Sequence, residues 1–196
     1  MGYREIAGAV LAGGRSSRIG AKSKPFITIG GVPIIQRTMS IFEELFNEII
    51  IVTNSPGEYS SYMDRCLIVT DIIKGIGPLG GIHSGLTHTS KEAVFFVACD
   101  MPCLHNDIIQ RQVAFFREID CDVLVPKVGT LIEPLHGVYK KGLKDNLYFF
   151  IRVSNDYSVR SFLQMVNVHY WGLEDTTFHR DIFRNVNTLE DIGSLQ

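Results

Sequence analysis

Four cationic side chains follow a pair of glycines near the start of the chain. Gly13 and Gly14 end an apolar run, and the ten residues after them contain four cations, namely Arg15, Arg18, Lys22 and Lys24. Glycine lets a ligand approach bare backbone, and backbone N–H groups together with mobile cations are what a polyphosphate requires. The segment is therefore predicted to be a phosphate-binding loop. A glycine turn followed by a solvated basic surface is the alternative.

The loop matches neither of two common nucleotide-binding fingerprints. Gly13 and Gly14 do not fit the Gly-x-Gly-x-x-Gly pattern of dinucleotide sites, and no Gly-Lys-Ser/Thr follows as in a Walker A loop. A Rossmann oxidoreductase is therefore disfavoured.

Asp100 follows the most apolar run of the chain, residues 93–98. An unpaired carboxylate at the edge of a core is costly, and Mg²⁺ is one suitable partner because it binds one or two protein carboxylates together with phosphate oxygens. A turn aspartate before Pro102 is the other interpretation. The residues alone favour neither.

Apolar runs alternate with segments of helical periodicity, which is typical of βαβ units. Strands are predicted over 6–11, 48–53, 66–69, 93–98 and 121–126, and helices over 33–46, 79–87 and 107–118. The fold class is therefore α/β, a three-layer α/β/α sandwich with a mostly parallel, Rossmann-like sheet. Residues 1–196 are expected to form a single domain, with a nucleotide half over about 1–103 and an acceptor half over about 104–196.

Polar residues follow the ends of several predicted strands. Asn54, Asp71 and Asp100 each come just after a strand, and ligands of parallel sheets bind at the carboxyl ends of the strands. These side chains are expected to converge on one site.

The composition excludes some functional classes. The 196 residues carry a formal net charge of −2, with 45% hydrophobic and 20% charged residues, which argues against nucleic acid as the main partner. We find no run long enough to span a bilayer and no signal-peptide pattern, so no membrane association and a cytoplasmic location are expected. The four cysteines match no zinc pattern and are expected to be buried free thiols.

Residues 11–24 resemble the signature Leu-Ala-Gly-Gly-x-x-x-Arg-Met-Gly…Lys of the sugar-nucleotidyltransferase-like (GT-A) superfamily, with Ile19 in place of methionine. Within that superfamily, the chain is most similar to the molybdenum cofactor guanylyltransferases of the MobA type. Residues 77–81 are similar to the Gly-Pro-Leu-Ala/Gly-Gly segment of this family, and residues 184–191 are similar to its closing Asn-x-Asn-Thr-Pro-Glu-Asp/Glu segment.

The resemblance implies site residues. Catalysis would depend on Arg18, Lys24 and Asp100, with Asp100 also the ligand of Mg²⁺, and Asn185 and Asn187 would bind the acceptor. The implied nucleotide-binding residues are Leu11, Ala12, Gly13, Gly14, Lys24, Asn54, Asp71, Gly77, Pro78, Leu79, Gly80 and Asp100.

The resemblance also implies the reaction: transfer of GMP from GTP to the terminal phosphate of molybdopterin or its molybdenum-bearing form, with release of pyrophosphate. GTP and molybdopterin are the implied small-molecule partners, and molybdenum-insertion proteins or apo-molybdoenzymes the implied protein partners, for a monomer or weak homo-oligomer. One alternative is a related nucleotidyltransferase that uses CTP or a sugar or polyol phosphate acceptor. Another is a catalytically silent nucleotide-binding regulatory domain.

Overall fold

A central mixed sheet organises the structure, a computed structural model that describes residues 5–13, 18–19 and 22–193, except for the side chains of Arg18, Ile19, Lys22 and Leu189. Within this part of the chain the strands are β1 (Ile6–Leu11), β2 (Arg18–Ile19), β3 (Lys22–Ser23), β4 (Thr28–Ile29), β5 (Val32–Pro33), β6 (Ile49–Val52), β7 (Leu67–Val69), β8 (Ala93–Ala98), β9 (Val123–Val128), β10 (Leu131–Ile132), β11 (His136–Lys140) and β12 (Val168–Leu173). Eight of them form the central sheet, in the order β10-β9-β11-β8-β1-β6-β7, with β12 on β9. The other four form two small hairpins, β2–β3 and β4–β5.

The helices of the described residues lie on both faces of the sheet. They are α1 (Ile34–Leu45), α2 (Pro78–His88), α3 (Asn106–Glu118), α4 (Leu143–Val153), α5 (Val159–Leu163), α6 (Thr177–Ile182) and α7 (Leu189–Gly193), with 3₁₀ turns at Lys24–Phe26 and Pro56–Tyr62. One apolar cluster contains the buried faces of α1 and α3, and a second contains those of α2, α4 and α5. The predicted three-layer arrangement is therefore confirmed.

The strands at the middle of the sheet are parallel because helices connect them. β1 pairs in parallel with β6 and β8, and β6 pairs in parallel with β7. β11 runs antiparallel to both β8 and β9. All six residues of β1 and all six of β8 are buried, as expected of strands that are covered on both faces.

Glycines let α2 lie close to the sheet. A Cβ atom on Gly81 would come within 2.9 Å of Leu11 Cδ2, and one on Gly85 within 2.5 Å of Phe96 Cε1. Because real Cβ atoms do not approach other atoms so closely, these two positions accept only glycine without rearrangement. The start of α2 is thereby held next to the end of β1.

The predicted strands and helices are all present, with ends shifted by up to two residues. The strand expected over 93–98 has those bounds, whereas the strand expected over 121–126 runs from Val123 to Val128.

The expectation of four buried thiols is wrong for two cysteines. All four are free, but Cys66 and Cys103 are only half-buried because they lie in surface segments outside the strands and helices. Within the described residues, no helix has the length and apolar character needed to cross a bilayer.

Candidate active site at the carboxyl edge of the sheet

Hydrogen bonds join the carboxyl ends of four neighbouring strands. The Cys99 N–H, just after β8, donates to the carbonyl oxygen of Leu11 at 3.1 Å, and the Ala12 N–H donates to that of Val52 at 2.8 Å. The Thr53 N–H, just after β6, donates to the carbonyl oxygen of Val69 at the end of β7, at 2.9 Å. The residues that follow these strands are thus held at one edge of the sheet, as the sequence predicts.

An open cavity of about 610 Å³ lies beside these strand ends. Its volume is typical of small-molecule sites. It is lined by Leu11, Gly13, Val52, Asn54, Asp71, Lys74, Gly75, Gly77, Pro78 and Gly81. Six of these residues, from four separate segments, are among the nucleotide-binding residues that the sequence predicts: Leu11, Gly13, Asn54, Asp71, Gly77 and Pro78.

Asn54 and Asp71 form a polar pair in this cavity. Asn54 Nδ2 donates to Asp71 Oδ2 at 2.7 Å, so the carboxylate is held in a fixed orientation. A Cβ atom on Gly13 would lie 3.4 Å from Asn54 Nδ2 and 3.8 Å from Asp71 Oδ2. The absence of a side chain at Gly13 therefore leaves the pair open to a ligand.

The segment between Asp71 and α2 forms the rim of the cavity. Gly75 and Gly77 have φ angles of 83° and 68°, a conformation that favours glycine. The Ile72 N–H donates to Ser84 Oγ at 2.8 Å, which ties the start of the segment to α2. Lys74 is exposed and lines the cavity, so it adds a positive charge to the cavity that also contains Asp71.

Five described residues of the predicted nucleotide set do not line the cavity. Two of them, Lys24 and Asp100, form a separate polar cluster. Leu79 is fully buried in the core, and a Cβ atom on Gly80 would come within 2.6 Å of the carbonyl oxygen of Ile73. Ala12 is buried between the strand ends. Ala12, Leu79 and Gly80 support the loops that line the cavity, because all three are packed inside the protein.

Lys24, Asp100 and Asn187 form a second polar cluster. Lys24 Nζ lies 3.1 Å from Asp100 Oδ2 and donates to Asn187 Oδ1 at 2.7 Å. The Lys24 side chain is only 10% exposed and that of Asp100 20%, so little water competes with these bonds. The sequence predicts each residue as part of the site, and the structure brings them into direct contact.

The segment that contains Asn187 is fixed by its own hydrogen bonds. The Val186 N–H donates to the carbonyl oxygen of Asp100 at 2.8 Å. The N–H groups of Asn187 and Thr188 both donate to Asp191 Oδ2 at 2.8 Å. Asn187 is therefore held against Asp100 through the backbone as well as through Lys24.

Asn185 is half-buried, and its Oδ1 atom accepts no hydrogen bond from the described residues. A buried amide oxygen without a donor is costly, so this atom is suited to accept a hydrogen bond from a ligand.

Two further predicted site residues are outside this description: Gly14 is not among the described residues, and neither is the side chain of Arg18.

Glu133 is an acidic residue of this region that is not among the predicted site residues. It is half-buried between β10 and β11. Burial raises its pKa to about 7, and the negative charge of Asp100 adds to this effect, whereas Arg160 opposes it. The sequence signal for this segment is the resemblance of residues 131–139 to the Glu/His-Pro-Leu-x-x-Val-Tyr strand of the MobA-type proteins, which implies a place on the acceptor side.

The carboxylate oxygens of Asp100 are suitable ligands for a metal ion that a bound substrate also coordinates. The described residues contain no group of three or more His, Cys, Asp or Glu side chains that could hold a metal ion. Mg²⁺, however, usually takes only one or two protein carboxylates and completes its shell with phosphate oxygens and water. A phosphate-bridged magnesium ion therefore fits Asp100, and an all-protein metal cage does not.

His136 has a structural role. It is fully buried, and its Nδ1 atom lies 3.0 Å from Oε1 of the fully buried Gln112. Burial lowers its pKa to about 4, so the imidazole is neutral near pH 7 and pairs with Gln112 inside the core.

Proteins similar to this chain in sequence are named as molybdenum cofactor guanylyltransferases. A protein from Peptoclostridium acidaminophilum named probable molybdenum cofactor guanylyltransferase is 38% identical over 93% of this chain and 85% of its own length. A molybdenum cofactor guanylyltransferase from Vibrio atlanticus is 31% identical over 95% of each chain.

Solved structures share the fold. Molybdopterin-guanine dinucleotide biosynthesis protein A from Archaeoglobus fulgidus has a TM-score of 0.78 at 23% identity over 96% of each chain. A 4-diphosphocytidyl-2C-methyl-D-erythritol synthase from Anaerococcus prevotii has a TM-score of 0.71 at 12% identity over 98% of this chain and 95% of its own.

A family match covers most of the elements that build the site. Residues 8–170 match the family described as MobA-like NTP transferase domain. That range includes the cavity, Lys24 and Asp100. The chain belongs to the MobA-like NTP transferase family.

Proposed function

We propose that the protein transfers GMP from GTP to the terminal phosphate of molybdopterin or its molybdenum-bearing form and releases pyrophosphate. The observation that carries this proposal is the pair of adjoining sites at one edge of the sheet: a cavity that presents Asp71, and a cluster in which Lys24 contacts Asp100 and Asn187. The names of the relatives support the choice of substrates.

The cavity is suited to a guanine nucleoside. Guanine presents an N2 amino donor and an O6 acceptor, together with N7. The Asp71 carboxylate can accept from amino and hydroxyl groups, and the Lys74 ammonium can donate to O6 or N7. A carboxylate and a cation that line one cavity therefore match the donors and acceptors of guanosine.

Asp100 is the residue of the described chain that would hold Mg²⁺ against the triphosphate. The ion, when bound, would offset the negative charge of the phosphates. This role is supported by the Leu11–Cys99 hydrogen bond, which brings the end of β8 beside the end of β1, where the cavity begins.

Lys24 would neutralise charge at the reacting phosphates. Its ammonium group has three donors, of which the cluster uses two, one toward Asp100 and one toward Asn187. The remaining donor is available to a phosphate oxygen. Because the Lys24 side chain is largely shielded from water, its interaction with a phosphate would be stronger than that of a solvated lysine.

The transfer needs no general base. The terminal phosphate of the acceptor is largely a dianion near neutral pH, so one of its oxygens can attack the α-phosphate of GTP directly, and the bond to the leaving pyrophosphate breaks. The protein must align the two phosphates and compensate their charge. Asn185 and Asn187 lie next to Asp100 along the same edge, which supports their role on the acceptor side.

The test is calorimetric binding of GTP, CTP and ATP with Mg²⁺, followed by a transfer assay with molybdopterin. We expect GTP to bind most tightly, and Asp100→Asn to weaken Mg²⁺-dependent binding and to abolish transfer. Lys74→Met should weaken GTP binding by about tenfold, because the variant loses the donor to O6 or N7. Lys91→Met, at the opposite edge of the sheet, is the matched control.

Three other results would each change the proposal. Tighter binding of CTP would replace this proposal with a cytidylyl transfer on the same fold. Absence of nucleotide binding would leave a catalytically silent domain. Wild-type transfer by Asp100→Asn would remove Asp100 from the mechanism.

A further inference from the structure

The outer surface of α4 and the segment after it expose many apolar side chains. Eleven large apolar side chains are exposed among the described residues, and five of them lie between positions 148 and 165. They are Tyr148, Phe149, Val153, Tyr157 and Met165. Scattered exposed apolar residues are normal, whereas a concentration of them marks an interaction surface.

The inner face of α4 is already in use. Leu147, Phe150 and Ile151 are buried in the core with α2 and the sheet. Phe149 is 64% exposed and Val153 60%, and the two are four residues apart, so they lie on the same side of the helix. A groove of about 300 Å³ runs beside Phe149 and includes Met165.

Two opposite charges lie on this outer face. Asp145 and Arg152 are both exposed, and none of the ion pairs found among the described residues includes either of them. They are seven residues apart, which is two helical turns, or about 10 Å along the axis. The midpoint between them falls between Tyr148 and Phe149. The outer face of α4 therefore carries Asp145 toward its N-terminus, aromatic side chains at its centre and Arg152 toward its C-terminus.

We propose that two copies of this chain associate through the outer faces of α4, packed antiparallel about a twofold axis near Phe149. In this arrangement Asp145 faces Arg152 of the partner subunit, and the symmetry forms the same ion pair a second time. The aromatic centres of the two faces meet between the two ion pairs. A parallel arrangement would place like charges together and is disfavoured.

The size of the surface sets the expected affinity. One helix pair is smaller than a standard stable interface of about 1,600 Å², and Met165, which lines the groove, extends it. A reversible dimer in the micromolar range is therefore expected. Because α4 lines neither the nucleotide cavity nor the Lys24 cluster, dimerisation leaves GTP binding unchanged.

Sedimentation velocity over a micromolar concentration series tests this proposal. Wild type should shift from monomer to dimer as concentration rises. Phe149→Glu should remain monomeric, and so should Arg152→Asp, because Asp145 would then face a like charge. The double variant Asp145→Arg/Arg152→Asp should restore the dimer. Met63→Glu is the matched control, because Met63 is also an exposed apolar residue but is distant from α4 in sequence. This variant should dimerise as wild type does.

GTP binding by every variant shows that the fold is intact and separates this test from that of the proposed function. A wild type that stays monomeric throughout the series would overturn the proposal. So would a Phe149→Glu variant that still dimerises, or a double charge exchange that fails to restore association.

Discussion

Lys24 links parts of the chain that are far apart in sequence. Its ammonium contacts Asp100, 76 residues away, and Asn187, 163 residues away. The charge pattern shows Lys24 as one of several cations in a basic loop, and only the resemblance to the family signature distinguishes it from Lys22. Only the tertiary fold buries it and gives it two partners.

Removing the acceptor of the Lys24 hydrogen bond should impair catalysis more than binding. In Asn187→Ala, Lys24 keeps Asp100 but loses one of the two bonds that fix its position. We expect the transfer rate to fall by about ten- to a hundredfold, because misplaced catalytic groups are costly, while the affinity for GTP changes by less than about tenfold. Steady-state kinetics and calorimetry measure the two effects. Asn106→Ala on α3 is the control, and an unchanged transfer rate in Asn187→Ala would contradict this role.

Glu133 should make folding stability depend on pH. Its pKa is raised from the ordinary 4.5 to about 7, chiefly by burial, so the folded state retains a proton that the unfolded chain releases. Its contribution to stability is therefore fully present below pH 4.5 and is lost as pH rises to about 7. Neutral His136, with a pKa lowered from 6.5 to about 4, acts in the opposite direction over the same range.

Glu133→Gln isolates the first of these two effects. In protein without ligand, the variant should match wild type near pH 4.5 and be more stable at pH 8, by at most about 3 kcal/mol. Urea unfolding at both pH values measures the difference. The exposed Glu118→Gln should show no such pH dependence, and equal stabilities of Glu133→Gln and wild type at pH 8 would show that the buried carboxylate costs nothing.

Among the helices and strands, α2 depends most on glycine for its packing against the sheet. Gly81 and Gly85 allow it to approach Leu11 and Phe96, and this approach places the first turn of the helix at the cavity beside the strand ends. The sequence marks this stretch as a glycine-rich turn and helix start. It does not show that the glycines face the sheet.

Gly85→Ala tests this close packing. The new Cβ atom would lie 2.5 Å from Phe96 Cε1, and the forced shift should destabilise the fold by about 1–3 kcal/mol, which outweighs the gain in helix propensity of about 1 kcal/mol. Thermal or urea unfolding measures it. Gly142→Ala is the matched control, since a Cβ atom there meets nothing within 4 Å. Equal stability of Gly85→Ala and wild type would mean that α2 can move away from the sheet without cost.

The elements differ in how well the sequence predicts them. β8 could be predicted to its end residues because six consecutive apolar residues form a strand that is covered on both faces. β12 was not predicted, since Trp171 is its only buried residue and an edge strand leaves no apolar run. The backbone pairing of β12 with β9 supplies the stability that its side chains do not indicate.

At the scale of the whole molecule, the sequence predicts separate parts of the site without showing how they meet. Asp71 and Asp100 could be found because each follows a strand in a parallel sheet. Lys74 could not, because its position depends on how the loop before α2 folds over the sheet edge. Glu133 is indicated only by the resemblance of residues 131–139 to a strand of the family. The fold itself does not determine the base, since a cytidylyl synthase has a similar structure at 12% identity. In the proposed function, base selection would therefore depend on the few side chains that line the cavity.

The Lys24–Asn187 contact also has a consequence for the order of folding. Contacts between residues so distant in sequence require the closure of long loops and form late on a folding pathway. The sheet can assemble from β1, β6 and β8 before residues 185–187 dock on Asp100. A nascent chain would therefore reach a compact, sheet-containing state before it acquires a complete catalytic centre, and recovery of activity would report the end of refolding rather than its beginning.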